Sequence, residues 1–154
     1  RLSRLGGLMQ KSGDKKTNTM EKEIYLVQSA LSAKQTVARV RCILREKSIP
    51  ISLIIDHAQE AAACGVKLRP TYTILAGSPA MRAQLLLLQQ ALSVLLPLRI
   101  NIWEDADGKV WLAYLRVESV MKRYGVKKTV PLVYLEHIME NISHRACKPA
   151  PRKK

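Results

Sequence analysis

His57 is the titratable side chain whose position most favours a chemical role. It follows Ile51–Asp56, a β-rich run that predicts a strand, and it opens an alanine-rich stretch that predicts a short helix ending at Gly65. A neutral imidazole at the end of a strand can bind a metal or haem, or move a proton. The alternative is that Asp56 caps the helix and His57 is half-buried without a chemical role.

A second candidate site follows the next predicted strand, Pro70–Leu75. Ser78 and Pro79 come directly after Gly77 and predict the start of a helix. Free amides and the positive end of the helix dipole could bind an anion there, with Arg82 one turn further along. The glycine spacing and the Lys-Ser/Thr pair of a P-loop are missing. The alternative is a capped helix that binds nothing.

These two candidate sites would merge only if the strands that precede them run parallel. Both segments leave a strand and enter a helix, so parallel strands would bring the two helix starts to one edge of the sheet. We therefore predict that a ligand site lies where His57 meets Gly77, Ser78 and Arg82. If the strands run antiparallel, the helix starts fall on opposite edges and the site does not form.

The other reactive side chains form no recognised catalytic or metal-binding motif. The three cysteines are odd in number and make no CxxC pair, which opposes a disulfide framework and a zinc site and favours reduced thiols. His137 and His144 lie outside any HExxH motif, and Asp105–Gly108 is only a fragment of a calcium loop. No G-x-S-x-G is present. We predict no metal and no catalytic residue and leave the cofactor unknown, with an unrecognised enzyme that uses His57 as an alternative.

The net charge of +14 is concentrated near the two ends of the chain. Residues 1–22 contain six Lys/Arg and two acidic residues, and residues 145–154 contain five Lys/Arg and no acidic residue. Charge of this kind without periodicity is typical of solvated, disordered segments. We predict a disordered basic leader over 1–22, one domain over 23–146 and a disordered basic tail over 147–154. Weak, non-specific nucleic-acid binding through these tails is an alternative function.

Length and hydropathy are those of one globular domain. The 154 residues suit a single core, and the 47% apolar and 25% charged content is ordinary for such proteins. No run approaches the roughly 18–20 apolar residues that span a bilayer. The N-terminal region has no apolar segment typical of a signal peptide. These features predict a cytoplasmic protein without membrane contact.

The order of the predicted elements indicates an α+β fold. A capping box at Ser32 and Gln35 begins an amphipathic helix of about four turns, and Asp105–Gly108 predicts the turn of a β-hairpin. Predicted strands cover 24–27, 51–56, 70–75, 98–104 and 109–116, and predicted helices follow Ser32 and cover 57–64, 79–90, 117–124 and 131–146. Four strands without strict alternation with helices indicate a mainly antiparallel sheet.

Several short motifs in this order resemble one family of proteins. They are Ile55-Asp56-His57-Ala58, Leu68-Arg69-Pro70-Thr71, Ala76-Gly77-Ser78-Pro79, Leu96-Pro97-Leu98, Asp107-Gly108-Lys109-Val110 and Tyr114. Together, over roughly 23–144, they resemble the domain-of-unknown-function 302 family. Relatives often have Phe-Gly-Asn-Pro at positions 76–79, and an aspartate where Leu95 stands here.

The resemblance implies a β-α-β-β-β-β-α arrangement with helices packed on one face, as in the TATA-binding protein. It also implies a tendency to form homodimers, and it brings no established activity and no catalytic residues. We therefore predict a dimeric binding or accessory module for a small molecule, a cofactor or an anion.

Overall fold

Five strands form one antiparallel sheet in the computed structural model of the chain, which describes residues 23–149. In chain order they are β1 (Ile24–Ser29), β2 (Ile51–Asp56), β3 (Thr71–Ala76), β4 (Leu98–Glu104) and β5 (Val110–Leu115). Their order across the sheet is β1-β5-β4-β3-β2, and every neighbouring pair is antiparallel. The predicted α+β fold with an antiparallel sheet is therefore confirmed.

Within residues 23–149, five α-helices and one 3₁₀ helix connect or follow the strands. They are α1 (Ala33–Glu46), α2 (His57–Ala63), α3 (Pro79–Leu88), the 3₁₀ helix Gln90–Leu95, α4 (Val117–Tyr124) and α5 (Val130–Ala146). The capping box at the start of α1 is present, because the Gln35 amide donates to Ser32 Oγ and the Ser32 amide donates to Gln35 Oε1. Within residues 23–149, no helix is both long and apolar enough to cross a membrane.

The two faces of the sheet have different neighbours. Ile74, Ile100 and Leu112 point to a face that α1 and α5 cover, and each is fully buried. Side chains alternate along a strand, so the residues between them lie on the opposite face. We call this opposite face, with Thr73, Asn101 and Ala113 in one row across three strands, the second face.

The hairpin between β4 and β5 is closed by the side chain of Asp105. Its Oδ1 accepts the amides of Asp107 and Lys109, both at 2.9 Å, and its Oδ2 accepts Trp111 Nε1–H at 2.8 Å. Burial alone would raise the pKa of Asp105, but these three hydrogen bonds hold it below the ordinary value. Both carboxylate oxygens of Asp105 thus accept hydrogen bonds within the hairpin.

The end of the domain differs by a residue from the predicted boundary. Cys147, placed in the predicted tail, is 3% exposed, and its carbonyl accepts the amide of Ala30 at 2.9 Å. Cys147 therefore belongs to the core. The predicted basic leader over 1–22 and the last five residues of the predicted tail lie outside the described residues.

Candidate functional site

The structure separates His57 from Gly77 and Ser78. Because β2 and β3 pair antiparallel, His57 follows β2 at one edge of the sheet, whereas Gly77 follows β3 at the other. There the Gly77 amide donates to the carbonyl of Pro50 at 2.9 Å. A strand of this length spans about 17–20 Å, which is too far for these side chains to share a ligand. The predicted joint site is wrong, because it required parallel strands.

The groups at the start of α3 have partners within the chain. Ser78 Oγ accepts the amide of Met81 at 3.1 Å, and Arg82 Nη1–H donates to the carbonyl of Gly77 at 2.8 Å. Gly77 has a φ of 138°, which favours glycine, and a Cβ there would lie 2.7 Å from the Met81 methyl carbon, so the end of that side chain would have to shift. These contacts match the alternative of a capped helix, and anion binding by Gly77, Ser78 and Arg82 stays a prediction.

His57 takes part in a chain of hydrogen bonds on the second face. Its Nε2 lies 2.8 Å from Thr73 Oγ1, and the Thr73 hydroxyl donates to Asn101 Oδ1 at 3.0 Å. A threonine hydroxyl has one proton, so Thr73 accepts from His57 and the imidazole proton is on Nε2. This hydrogen bond orients the Asn101 amide, with its oxygen towards Thr73. Asp56 caps α2 through the amide of Gln59 at 2.9 Å, as the alternative for His57 expected.

A cavity of about 430 Å³ lies at the edge of the sheet where β4 begins and β5 ends. The 3₁₀ helix and the helices α3, α4 and α5 supply about half of its lining residues, and the wall is largely aliphatic. Representative side chains are Leu85, Leu92, Val120, Leu132, Leu135 and Met139. A volume of this size with mainly apolar walls is typical of small-molecule sites.

A few polar and aromatic side chains interrupt the apolar wall. Arg99, Asn101 and Trp103 alternate along β4 and line the cavity from the second face. Arg99 is exposed and forms no ion pair within residues 23–149. The hydrogen bonds from His57 through Thr73 to Asn101 therefore connect the predicted candidate His57 to this cavity, although not to Ser78.

Tyr114 also lines the cavity, and its hydroxyl is buried. The residue is 2% exposed, and its Oη has no hydrogen-bond partner among the described residues. Its ring stacks on Tyr25 at 5.1 Å, whose own hydroxyl lies 2.8 Å from His144 Nε2. Burial, and then the negative charge of Glu136, raise the pKa of Tyr114, so its hydroxyl stays protonated.

The cavity has no counterpart among the sites predicted from the sequence. The alternation of Arg99, Asn101 and Trp103 with buried isoleucines was a usable signal, because it places two polar groups and an indole on one face of β4. No group of three His, Cys, Asp or Glu side chains in the described part of the chain could hold a metal ion.

Comparison with curated proteins finds relatives that are longer than this chain. The fluoride-specific ion channel FluC 1 of Brucella suis biovar 1 is 32% identical over 89 residues, which is 58% of this chain and 35% of that protein. The protein of the same name from Brucella abortus biovar 1 is also 32% identical over 89 residues, and 33% of its length is covered. The chain thus spans about a third of the length of the curated relatives it matches.

A solved structure and a family profile match most of the chain. The crystal structure of an uncharacterized conserved protein DUF302 from Bacillus stearothermophilus has a TM-score of 0.70 at 12% identity, and the match covers 81% of this chain and 98% of that one. This likeness shows a shared fold. The profile of the family described as domain of unknown function DUF302 matches residues 25–144. The chain therefore belongs to the DUF302 family, as the motifs in its sequence had indicated.

Proposed function

We propose that this domain binds a small, largely apolar molecule in the cavity between the edge of the sheet and the helices α3, α4 and α5. The observation that carries the proposal is the cavity of about 430 Å³ with aliphatic walls and few polar groups. Binding sites for small molecules combine an apolar wall, which supplies affinity, with a few placed polar groups, which supply orientation. Arg99, Asn101 and Tyr114 are the polar groups here.

The apolar wall predicts how affinity depends on ligand size. Each methylene that leaves water for the cavity contributes about 0.8 kcal/mol, or about fourfold in affinity. Linear alcohols from butanol to octanol should therefore bind with stepwise rising affinity. Isothermal titration calorimetry would measure the series, and the intrinsic fluorescence of Trp103, which lines the cavity, would report occupancy.

A cavity-filling substitution provides the matching structural test. Val120 lines the cavity and is partly buried, so Val120→Phe should occupy part of the volume and weaken octanol binding at least about tenfold. Val66 is 56% exposed and does not line the cavity, so Val66→Phe is the matched control and should bind like the unaltered chain. Equal octanol affinity in Val120→Phe and Val66→Phe would contradict the proposal, as would the absence of binding by every alcohol.

We further propose that the domain functions as a homodimer. The outer edge of β2 has no partner strand within residues 23–149, and unpaired strand edges are usually covered or paired. Two-fold dimers are the commonest assemblies of soluble proteins. Nucleic-acid binding through the basic ends and an enzymatic use of His57 also stay predictions.

The curated relatives favour a second candidate, that the domain is an accessory module of a fluoride transport protein. The supporting observation is the 32% identity over 89 residues to proteins named fluoride-specific ion channels. Fluorine NMR of sodium fluoride with the purified chain tests whether the domain itself binds the ion. Saturable broadening of the fluoride signal would support a direct role, and an unchanged signal would argue against one.

A further inference from the structure

We infer that the molecule bound in the cavity is an aliphatic monocarboxylate, with its carboxylate held by Arg99 and Asn101. This inference rests on the proposed binding of an apolar molecule and names its chemical class. The apolar chain would occupy the part of the cavity lined by α3, α4 and α5, and the head group would lie at the second face of the sheet.

The polar groups at the second face are hydrogen-bond donors. Arg99 offers guanidinium N–H groups only, and it has no ion-pair partner among the described residues. Asn101 Oδ1 accepts from Thr73, which orients the amide, and the NH₂ group is the donor that Asn101 can offer to a ligand. The two residues are two apart in β4 and lie on one face about 7 Å apart, so their side chains can converge on one acceptor group. A carboxylate satisfies both donors at once.

The charge of the wall selects a monoanion. Arg99 is the one charged residue among the described residues that line the cavity. A single guanidinium neutralises one carboxylate, whereas a phosphate dianion would leave a second charge next to apolar walls, which is unfavourable. The pairing of one cation with a long aliphatic wall therefore points to a carboxylic acid with an alkyl chain.

His57 acts as a positioning residue in this arrangement. By donating from Nε2 to Thr73 Oγ1, it directs the Thr73 proton to Asn101 Oδ1 and so fixes which end of the Asn101 amide is free. His57 does not line the cavity. Its removal should therefore weaken the binding of a carboxylate and leave that of a neutral ligand unchanged, because only the head group depends on the orientation of Asn101.

Titration calorimetry with three ligands of equal chain length tests the inference: octanoate, octanol and octylamine. We expect octanoate to bind most tightly and octylamine most weakly. Arg99→Leu removes an exposed cation and should lower octanoate affinity by about fivefold, with octanol unchanged. Arg41→Leu, which removes an exposed cation of α1 outside the cavity, is the matched control and should change neither.

Asn101→Asp gives a second test with little change of shape. It keeps an acceptor for Thr73 but adds a negative charge, so it should lower octanoate affinity by about tenfold and spare octanol. His57→Ala should lower octanoate affinity by about threefold and also spare octanol.

Each outcome of these titrations decides a separate point. If octanol binds as tightly as octanoate and Arg99→Leu has no effect, the carboxylate inference is overturned while the proposed function stands. If octanoate is preferred but Arg99→Leu and Asn101→Asp leave that preference intact, the assigned head-group site is overturned. If neither octanoate nor octanol binds, the proposed function itself fails.

Discussion

The hydroxyl of Tyr114 allows a test in which two closely matched substitutions should act in opposite directions. Tyr114 and Tyr25 stack on each other, but Tyr25 Oη lies 2.8 Å from His144 Nε2, whereas Tyr114 Oη is buried without a partner among the described residues. Tyr→Phe removes a single oxygen at either position and keeps the stacked rings. The change in stability of each variant therefore shows whether the hydroxyl that it removes had a hydrogen-bond partner.

The expected magnitude follows from the cost of burying an unpaired polar group. Such a hydroxyl costs about 1–3 kcal/mol, so Tyr114→Phe should raise the free energy of unfolding by about 1 kcal/mol and the melting temperature by about 3 °C. Tyr25→Phe loses a hydrogen bond that is partly exposed to solvent and should lower the free energy of unfolding by about 0.5 kcal/mol. Urea denaturation and thermal melts of both variants at pH 7 supply the values.

The raised pKa of Tyr114 also predicts that the stability of the chain falls at alkaline pH. Because burial raises the pKa of Tyr114 in the folded chain, its contribution is unchanged below the ordinary tyrosine pKa of about 10. Above that pH the unfolded chain releases the proton and the folded chain does not, so stability falls. The advantage of Tyr114→Phe should therefore widen above about pH 10. A Tyr114→Phe variant that is less stable than the unaltered chain at pH 7 would refute the reasoning, because it would show that the hydroxyl has a partner.

Three further predictions concern the hairpin, the core thiol and the assembly. Asp105→Ala should lower the free energy of unfolding by about 2 kcal/mol, because it removes three hydrogen bonds to one carboxylate. Since the pKa of Asp105 is lowered in the folded chain, the stability of the unaltered chain should decline below about pH 4. An acid titration followed by circular dichroism would detect this decline. Burial raises the pKa of the Cys147 thiol to about 11, so its contribution to stability is complete below about pH 8.5 and is lost as the pH rises towards 11. Urea midpoints that fall as much in Cys147→Ala as in the unaltered chain over this window would show that another group causes the loss. Light scattering at micromolar concentration should give about twice the chain mass of 17.3 kDa, and a mass of one chain throughout that range would contradict the proposed homodimer.

Local sequence signals predicted most of the secondary structure. The capping box at Ser32, the proline after Ser78 and the turn at Asp105 are interactions between residues close in the chain, so the sequence contains all the information needed. The direction of β2 relative to β3 is different, because it depends on how the intervening α2 and the loop after it cross the sheet. Alternation of side chains predicts that each strand exists and gives no direction, which is why His57 and Ser78 were expected to meet.

The cavity was harder to predict from the sequence than the secondary structure. One helix was expected over 79–90, but α3 ends at Leu88 and the chain continues as the 3₁₀ helix from Gln90. How much space remains between this segment, α4 and α5 depends on the volumes of side chains distant in sequence. The size of such a space is set by packing, and the local pattern of apolar residues does not predict it.

The most direct measurement of the central claim is a titration of the chain with octanol, followed by NMR of its leucine and valine methyl groups. The proposed function predicts saturable shifts at Leu92, Val120 and Leu132, which line the cavity, with a single dissociation constant for all three. Leu53 is 51% exposed on β2 and does not line the cavity, so its methyl groups should not respond. Shifts confined to Leu53 and other exposed side chains, or shifts that never saturate, would contradict the claim that this cavity binds a small apolar molecule.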